Sequence, residues 1–169
     1  QGSHLINQTL FSIIPQLVKR FTVVHQTGAS TITRDIDKAR RLRESLGDLA
    51  GRYPHAPYFF AREAATYLQS AEVVISRAGA HLTYELSLLQ KRTVFIPISW
   101  VSHNEQLLNA REAVKVAPAV ILAENDLTPE SLLAAIKKVE NMKPKAKVKA
   151  DPFAPTDKIL AVIHGYLQG

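Results

Sequence analysis

With 169 residues, 46% of them hydrophobic and 21% charged, the chain has the size and apolar content of one domain with an ordinary core. It has no cysteine, which excludes a disulfide framework, a thiol nucleophile and a thiolate metal site, and no apolar run approaches the ~18–20 residues that span a bilayer. The net charge of +6 is concentrated in six lysines between Lys137 and Lys149 that face the single Glu140. A solvated basic linker explains that excess first, an anionic membrane surface second, and nucleic acid last, because no aromatic side chains interleave the lysines.

The chain starts at Gln1 with neither a signal-peptide pattern nor an initiator methionine, so a soluble piece of a longer protein is expected. Gln1-Gly2-Ser3 opens directly into Leu5, Ile6, Leu10, Ile13, Ile14 and Leu17, a helical spacing that predicts a helix ended near Pro15 and Lys19-Arg20. No strand stands in front of this helix, so it reads as a unit cut after its strand. Phe21–His25 reads as a strand and Gln26–Ser30 as a polar turn after it. Residues 33–50 read as a charged helix with Ile36, Ala39, Leu42 and Leu46 inward, and its arginines receive no chemistry. After the break at 51–57, Tyr58-Phe59-Phe60 reads as a short strand and Ala61–Ser70 as a helix; Tyr53, Tyr58 and Tyr67 read as core edges.

Val73–Ile75 is a β-branched strand that stops at Ser76, Arg77 and the small residues Ala78, Gly79 and Ala80, after which a helix begins. Small residues let a ligand approach the backbone, and the free N–H groups of the helix's first turn, with its dipole, favour an anion. Leu82, Glu85, Leu86 and Leu89 fall at i, i+3, i+4 and i+7, which predicts a carboxylate on the edge of a buried stripe. Such a charge needs a partner, either a pair of sugar hydroxyls or a nearby Arg or Lys. Thr93–Ile98 reads as a strand covered on both faces. A loop with Trp100 follows, and then a helix from Asn104 whose first turns carry the amides Gln106 and Asn109. Ala119–Leu122 is a strand, and Thr128-Pro129 predicts a capped helix running to about Val139. The domain is placed at 1–142, a basic linker at 143–155 and a terminal helix at 156–169. Alternating helices and strands predict an α/β, Rossmann-like parallel sheet with helices on both faces.

His4, His25, His55, His81, His103 and His164 lack paired ligand spacing, so no metal site is expected. The G-x-S-x-G elbow, the P-loop and the G-x-G-x-x-G fingerprint are absent. What the residues offer is small-residue turns at helix starts, one edge carboxylate and an amide cluster, a set suited to a nucleotide diphosphate carrying a sugar.

The chain resembles the MurG family at Gln1-Gly2-Ser3 with Ile6-Asn7-Gln8, at His25-Gln26-Thr27-Gly28, at Ile75–Ala80 with Glu85, at Pro97, and at Gln106 with Asn109-Ala110. Each motif is short, but they stand in consistent order from residue 1 to about 136. Those enzymes transfer N-acetylglucosamine from UDP-N-acetylglucosamine to undecaprenyl-pyrophosphoryl-N-acetylmuramoyl-pentapeptide, making the peptidoglycan precursor lipid II. The resemblance implies the C-terminal, donor-binding half of a two-domain GT-B glycosyltransferase, with its first strand missing. By the same resemblance Gly2 and Ser3 lie near the diphosphate, and the backbone at Phe60 and Ala61 meets the uracil. Gly79, Ala80, His81 and Leu82 hold phosphate through main-chain N–H groups, Glu85 binds the ribose, and Gln106, with Asn109, contacts the sugar. UDP-N-acetylglucosamine is a substrate and no cofactor is implied.

The chain departs from the family pattern at His81-Leu82, where a threonine is common, at Glu105 before the glutamine, and at Arg62. The catalytic residues are expected in the other half, so the isolated chain should bind the donor without transferring it. Its implied partners are an acceptor-binding N-terminal domain or a membrane-bound companion chain, as in the eukaryotic dolichol-linked N-acetylglucosaminyltransferase. The implied place is the cytoplasm, at the inner face of the cell membrane. Two other readings are a basic lipid- or nucleic-acid-docking module on a degenerate scaffold, and a different UDP-sugar enzyme.

Overall fold

A computed structural model of the protein describes residues 3–98 and 104–145. Gln1, Gly2, Trp100, His103, the part of the expected linker at 146–155 and the expected terminal helix at 156–169 lie outside the described residues. Within them the order is α1 (His4–Leu17), β1 (His25–Gln26), α2 (Asp35–Ser45), β2 (His55–Ala56), α3 (Ala61–Ser70), β3 (Val73–Ser76), α4 (Ala80–Leu88), β4 (Arg92–Phe95), α5 (Glu105–Val116), β5 (Ala119–Ile121) and α6 (Pro129–Glu140). Short 3₁₀ turns lie at Gly47–Arg52 and Glu124–Asp126. Every strand pair is parallel: β1 runs beside β2, and β3, β4 and β5 form a second sheet in that order.

The period of two in the apolar strands sorts side chains to opposite faces of the second sheet. Val73, Ile75, Val94, Ile96, Val120 and Leu122 face a cluster with Ile6, Leu10, Ile13 and Ile14 of α1 and Leu132, Ile136 and Val139 of α6. Val74, Phe95, Ala119 and Ile121 face the other way, against Leu86 of α4 and Ala110 and Ala113 of α5. The α/β fold with helices on both faces follows from this two-sided burial. Side chains such as Val94, Ile96 and Leu132 are fully buried, each burial being worth about 1.5–3 kcal/mol.

Several elements differ from the sequence expectation for identifiable reasons. Helix α1 is not one of them: it runs through Pro15 and ends at Leu17, before Lys19-Arg20. The strand expected at 21–25 shrinks to His25–Gln26. The amides of Val23, His25 and Thr27 do bond the carbonyls of Arg52, Pro54 and Ala56, but Pro54 has no N–H to return to its neighbour, so the ladder stays short. Tyr58-Phe59-Phe60 is not a strand. The pairing strand is His55–Ala56, and Tyr58 and Phe60 lie in the loop after it, 57% and 75% exposed. Of the three tyrosines read as core edges, Tyr53 is fully buried and Tyr58 is exposed. The cap of α6 is as expected: Thr128 Oγ1 accepts from the Ser131 amide at 3.1 Å, and Pro129 occupies the first turn.

At the amino-terminal ends of the strands, four cationic side chains close helix carboxyl ends. Arg52 donates to the Val18 and Lys19 carbonyls after α1, and Lys91 to Gln69 and Ala71 around the end of α3. Arg92 Nε donates to Met142 after α6, and Lys145 Nζ to Val114 and Lys115 at the end of α5. These bonds satisfy carbonyls that have no partner within their own helix and oppose the negative end of the dipole. Lys145, assigned to a solvated linker on sequence grounds, is therefore part of the fold.

Candidate nucleotide-sugar site

The site forms where strands β3 and β4 end and α4 and α5 begin, the edge at which parallel sheets hold ligands. Strand β3 stops at Ser76, and Gly79 is the N-cap of α4 with φ −67° and ψ 142°. The residue makes no side-chain cap, so the amides of Ala80, His81 and Leu82 open outward; the first intrahelical bond of the turn runs from Thr83 N to Gly79 O at 2.9 Å. A Cβ built on Gly79 meets nothing within 4 Å, and its backbone is extended. Neither strain nor crowding within the protein calls for glycine here.

The buried face of α4 is Thr83, Leu86 and Ser87, not the stripe through Leu89, which is 47% exposed. The helix meets the molecule through α5, and this rotates its buried side. Glu85 lies outside that face, exposed, with no hydrogen bond or ion pair of its carboxylate to any described residue. The lysine or arginine partner considered as one alternative does not form among the described residues.

The two amides of α5 are oriented by bonds to the backbone. Gln106 Oε1 accepts from the Ile98 amide at 3.1 Å, which leaves its NH₂ group to donate. Asn109 Nδ2 donates to the Ala78 carbonyl at 3.1 Å, which leaves its Oδ1 to accept and ties α5 to the turn before α4. Glu105 is exposed in the same first turn.

Arg77 joins this region to α1. Its guanidinium donates to Ser3 Oγ at 2.7 Å and to the Ile96 carbonyl at 2.9 Å, and pairs with Glu124 in the turn after β5. Ser3 is the N-cap of α1 but gives no side-chain bond to its own helix, so the first-turn amides there are also open.

Behind the α1 terminus lies a polar network that sequence reasoning did not find. Asp35, 3% exposed in the first turn of α2, accepts from His4 Nδ1 at 3.0 Å, Asn7 Nδ2 at 2.8 Å and Gln8 Nε2 at 3.1 Å. Burial pushes the Asp35 carboxyl up, but bonds from Asn7 and His4, with the charges of His4 and Lys38, outweigh it and hold its pKa below the ordinary value. Burial, with His55 adding repulsion, lowers His25 from 6.5 to about 4 against a smaller opposing pull from Asp35. Burial alone raises the Tyr53 hydroxyl.

Ser3, Gly79, Ala80, His81, Leu82, Glu85, Gln106 and Asn109 are thus linked around one edge through Arg77, Asn109 and the α4–α5 contact. Phe60 and Ala61 stand exposed at the start of α3, and no hydrogen bond or ring contact among the described residues ties them to the Gly79 turn. Gly2 lies outside the described residues. The residues missed were Arg77, Asn7, His25 and Asp35. An arginine directly after a strand and before a small-residue turn was one available signal, and the place of Asn7 and His25 in the family motifs was another. Among the described residues no group of three or more His, Cys, Asp or Glu side chains is placed to hold a metal ion.

Comparison with known proteins gives the family of the chain. The sequence profile described as "Glycosyltransferase family 28 C-terminal domain" matches residues 1–161. The UDP-N-acetylglucosamine--N-acetylmuramyl-(pentapeptide) pyrophosphoryl-undecaprenol N-acetylglucosamine transferase of Clostridium kluyveri is 32% identical over 98% of this chain and 44% of its own length. The enzyme of the same name from Geobacillus kaustophilus is 33% identical over 96% of this chain and 43% of its own. The chain therefore spans less than half the length of these relatives. A crystal structure of Acinetobacter baumannii MurG superposes with a TM-score of 0.70 at 23% identity, over 97% of this chain and 46% of that one, a likeness of fold. On the strength of the profile match across nearly the whole chain, this protein belongs to the glycosyltransferase family 28 C-terminal domain family.

Proposed function

We propose that the chain binds UDP-N-acetylglucosamine and serves as the donor half of an N-acetylglucosaminyltransferase acting on a lipid-linked acceptor in peptidoglycan precursor synthesis. The observation that carries this is the uncapped amino terminus of α4 at Gly79 with a Glu85 carboxylate on the same helix that has no partner among the described residues. The free amides of Ala80, His81 and Leu82 take a phosphate, and Glu85 accepts from a pair of ribose hydroxyls. The Gln106 NH₂ and the Asn109 Oδ1 have no partner among the described residues and are offered to the sugar, one to donate and one to accept. Ser3, with Gly2 beside it, approaches the diphosphate from α1, and the backbone at Phe60 and Ala61 receives the uracil. The relatives named for this transfer, matched over their donor-sized share, support the same assignment.

In transfer with inversion, bond cleavage at the anomeric carbon leaves negative charge on the departing UDP. Amides fixed at a helix terminus stabilise that charge without reorganising, which is the contribution these residues can make. The base that takes the acceptor's proton belongs to an acceptor-binding N-terminal domain or a companion chain. The reaction is placed in the cytoplasm, at the inner face of the cell membrane where a lipid-linked acceptor resides. No cofactor enters this chemistry; the nucleotide sugar is the substrate.

Calorimetry with UDP and UDP-N-acetylglucosamine tests the reading. Both should bind, and Glu85→Ala should weaken both about tenfold, the worth of a hydrogen bond to a charged group, while leaving thermal unfolding unchanged. No heat of binding to either nucleotide at millimolar concentration would overturn it.

A further inference from the structure

We propose that Arg77 is a positioning residue that works through the Ser3 hydroxyl, an inference that rests on the nucleotide-sugar reading above. A serine at an N-cap ordinarily turns its oxygen back to accept from an amide of its own first turn. Ser3 does not; its Oγ accepts from Arg77 Nη2 at 2.7 Å, across 74 residues of sequence. Two consequences follow from that one bond. The first-turn amides of α1 are left open, and the Ser3 proton, having no acceptor among the described residues, is free to be donated outward. A hydroxyl that accepts from a cation is also polarised into a better donor.

The guanidinium can hold Ser3 in this way because its other contacts fix it. Nη1 donates to the Ile96 carbonyl at the end of β4, and the group pairs with Glu124 beyond β5. The side chain is only 20% exposed and its Nε is buried without a partner, so the arrangement is retained at the cost of an unsatisfied donor. With its charge opposed by Glu124, Arg77 presents little net field to a distant anion. Its effect is directional: it sets the α1 turn at Ser3 in a fixed relation to the Gly79 turn two residues after its own backbone. One anion-bearing group of two linked phosphates could then be gripped by both turns, with Ser3 donating to it.

A double-mutant cycle on this chain tests the idea, with UDP and uridine as probes and thermal unfolding followed in parallel. Ser3→Ala should weaken UDP about tenfold and leave uridine unchanged, Arg77→Met should do the same, and the double variant should lose no more than about twofold beyond the larger single loss. Arg77→Lys, which keeps the charge without the fork, should resemble Arg77→Met. Additive losses, full UDP affinity in Ser3→Ala, or rescue by Arg77→Lys would each overturn the proposal while UDP binding by the unsubstituted chain stands. Ser3→Ala remains decisive even if the Arg77 variants do not fold. Absence of UDP binding by the unsubstituted chain removes the underlying reading and this proposal with it.

Discussion

Asn7 and His25 are joined by a 2.9 Å hydrogen bond between Oδ1 and Nε2, and the surrounding partners fix its direction. The Asn7 NH₂ group is already committed as donor to the Asp35 carboxylate and the Thr27 carbonyl, both at 2.8 Å. Its oxygen must therefore accept, so His25 carries its proton on Nε2. Burial disfavours the charged ring, and in the neutral ring the opposite nitrogen accepts from the Tyr53 hydroxyl at 2.8 Å. With the imidazole kept neutral by burial, the chain Tyr53 to His25 to Asn7 to Asp35 runs one way.

The lowered pKa of His25 yields a pH dependence of stability. His25 titrates at about 4 when folded and near 6.5 when unfolded, so between these values the unfolded chain binds a proton that the folded one does not. Stability should fall by roughly 3 kcal/mol as pH drops from 6.5 to 4. Asp35 acts lower down: its carboxyl is held below 3.8 in the fold, so its contribution is complete above that value and is lost as pH falls through the folded pKa. Urea denaturation at half-unit pH steps should show both segments, and His25→Gln should flatten the upper one alone.

Asn7→Ala removes a side chain that serves His25, Asp35 and the Thr27 carbonyl at once. Leaving buried partners unsatisfied costs about 1–3 kcal/mol apiece, and a loss of about 3 kcal/mol in denaturant midpoint analysis is expected. Ser12→Ala, at an exposed hydroxyl of the same helix, should change stability by less than about 0.5 kcal/mol.

The strand–turn–helix at Val73–Glu85 was legible because periodicity changes at Ser76 and only small residues fill the gap. The cap at Thr128-Pro129 was legible because its chemistry is local. Tyr58–Phe60 misled because an aromatic run has the composition of a strand whether or not anything covers it. Leu89 misled because a helical stripe specifies a face but not which neighbour the helix packs on. The Asn7–His25–Asp35 network and the Arg77–Ser3 bond were invisible because their members lie 18 to 74 residues apart, a relation that exists only after the strands have paired.

The cations that close the helix ends provide another measurable contribution. Arg92→Met should remove the bond from Nε to the Met142 carbonyl and lower stability by about 0.5–1 kcal/mol, with a smaller difference at high salt. Lys145→Met should do likewise at the end of α5. Chemical denaturation with urea in low and high sodium chloride separates this effect from the loss of aliphatic packing, which salt would not reduce.

Gly79 separates the demands of the fold from those of a ligand. Its φ of −67° is open to any residue, and a side chain there enters empty space. Gly79→Ala should therefore leave stability within about 0.5 kcal/mol of the unsubstituted chain. The same Cβ stands at the mouth of the turn whose amides face the proposed phosphate, and there even a methyl group shortens the approach. UDP affinity should fall severalfold for Gly79→Ala and become undetectable for Gly79→Leu, while both variants melt with the unsubstituted chain. If Gly79→Leu binds UDP undiminished, the phosphate does not sit on this turn, and the free amides of α4 have no part in holding the donor.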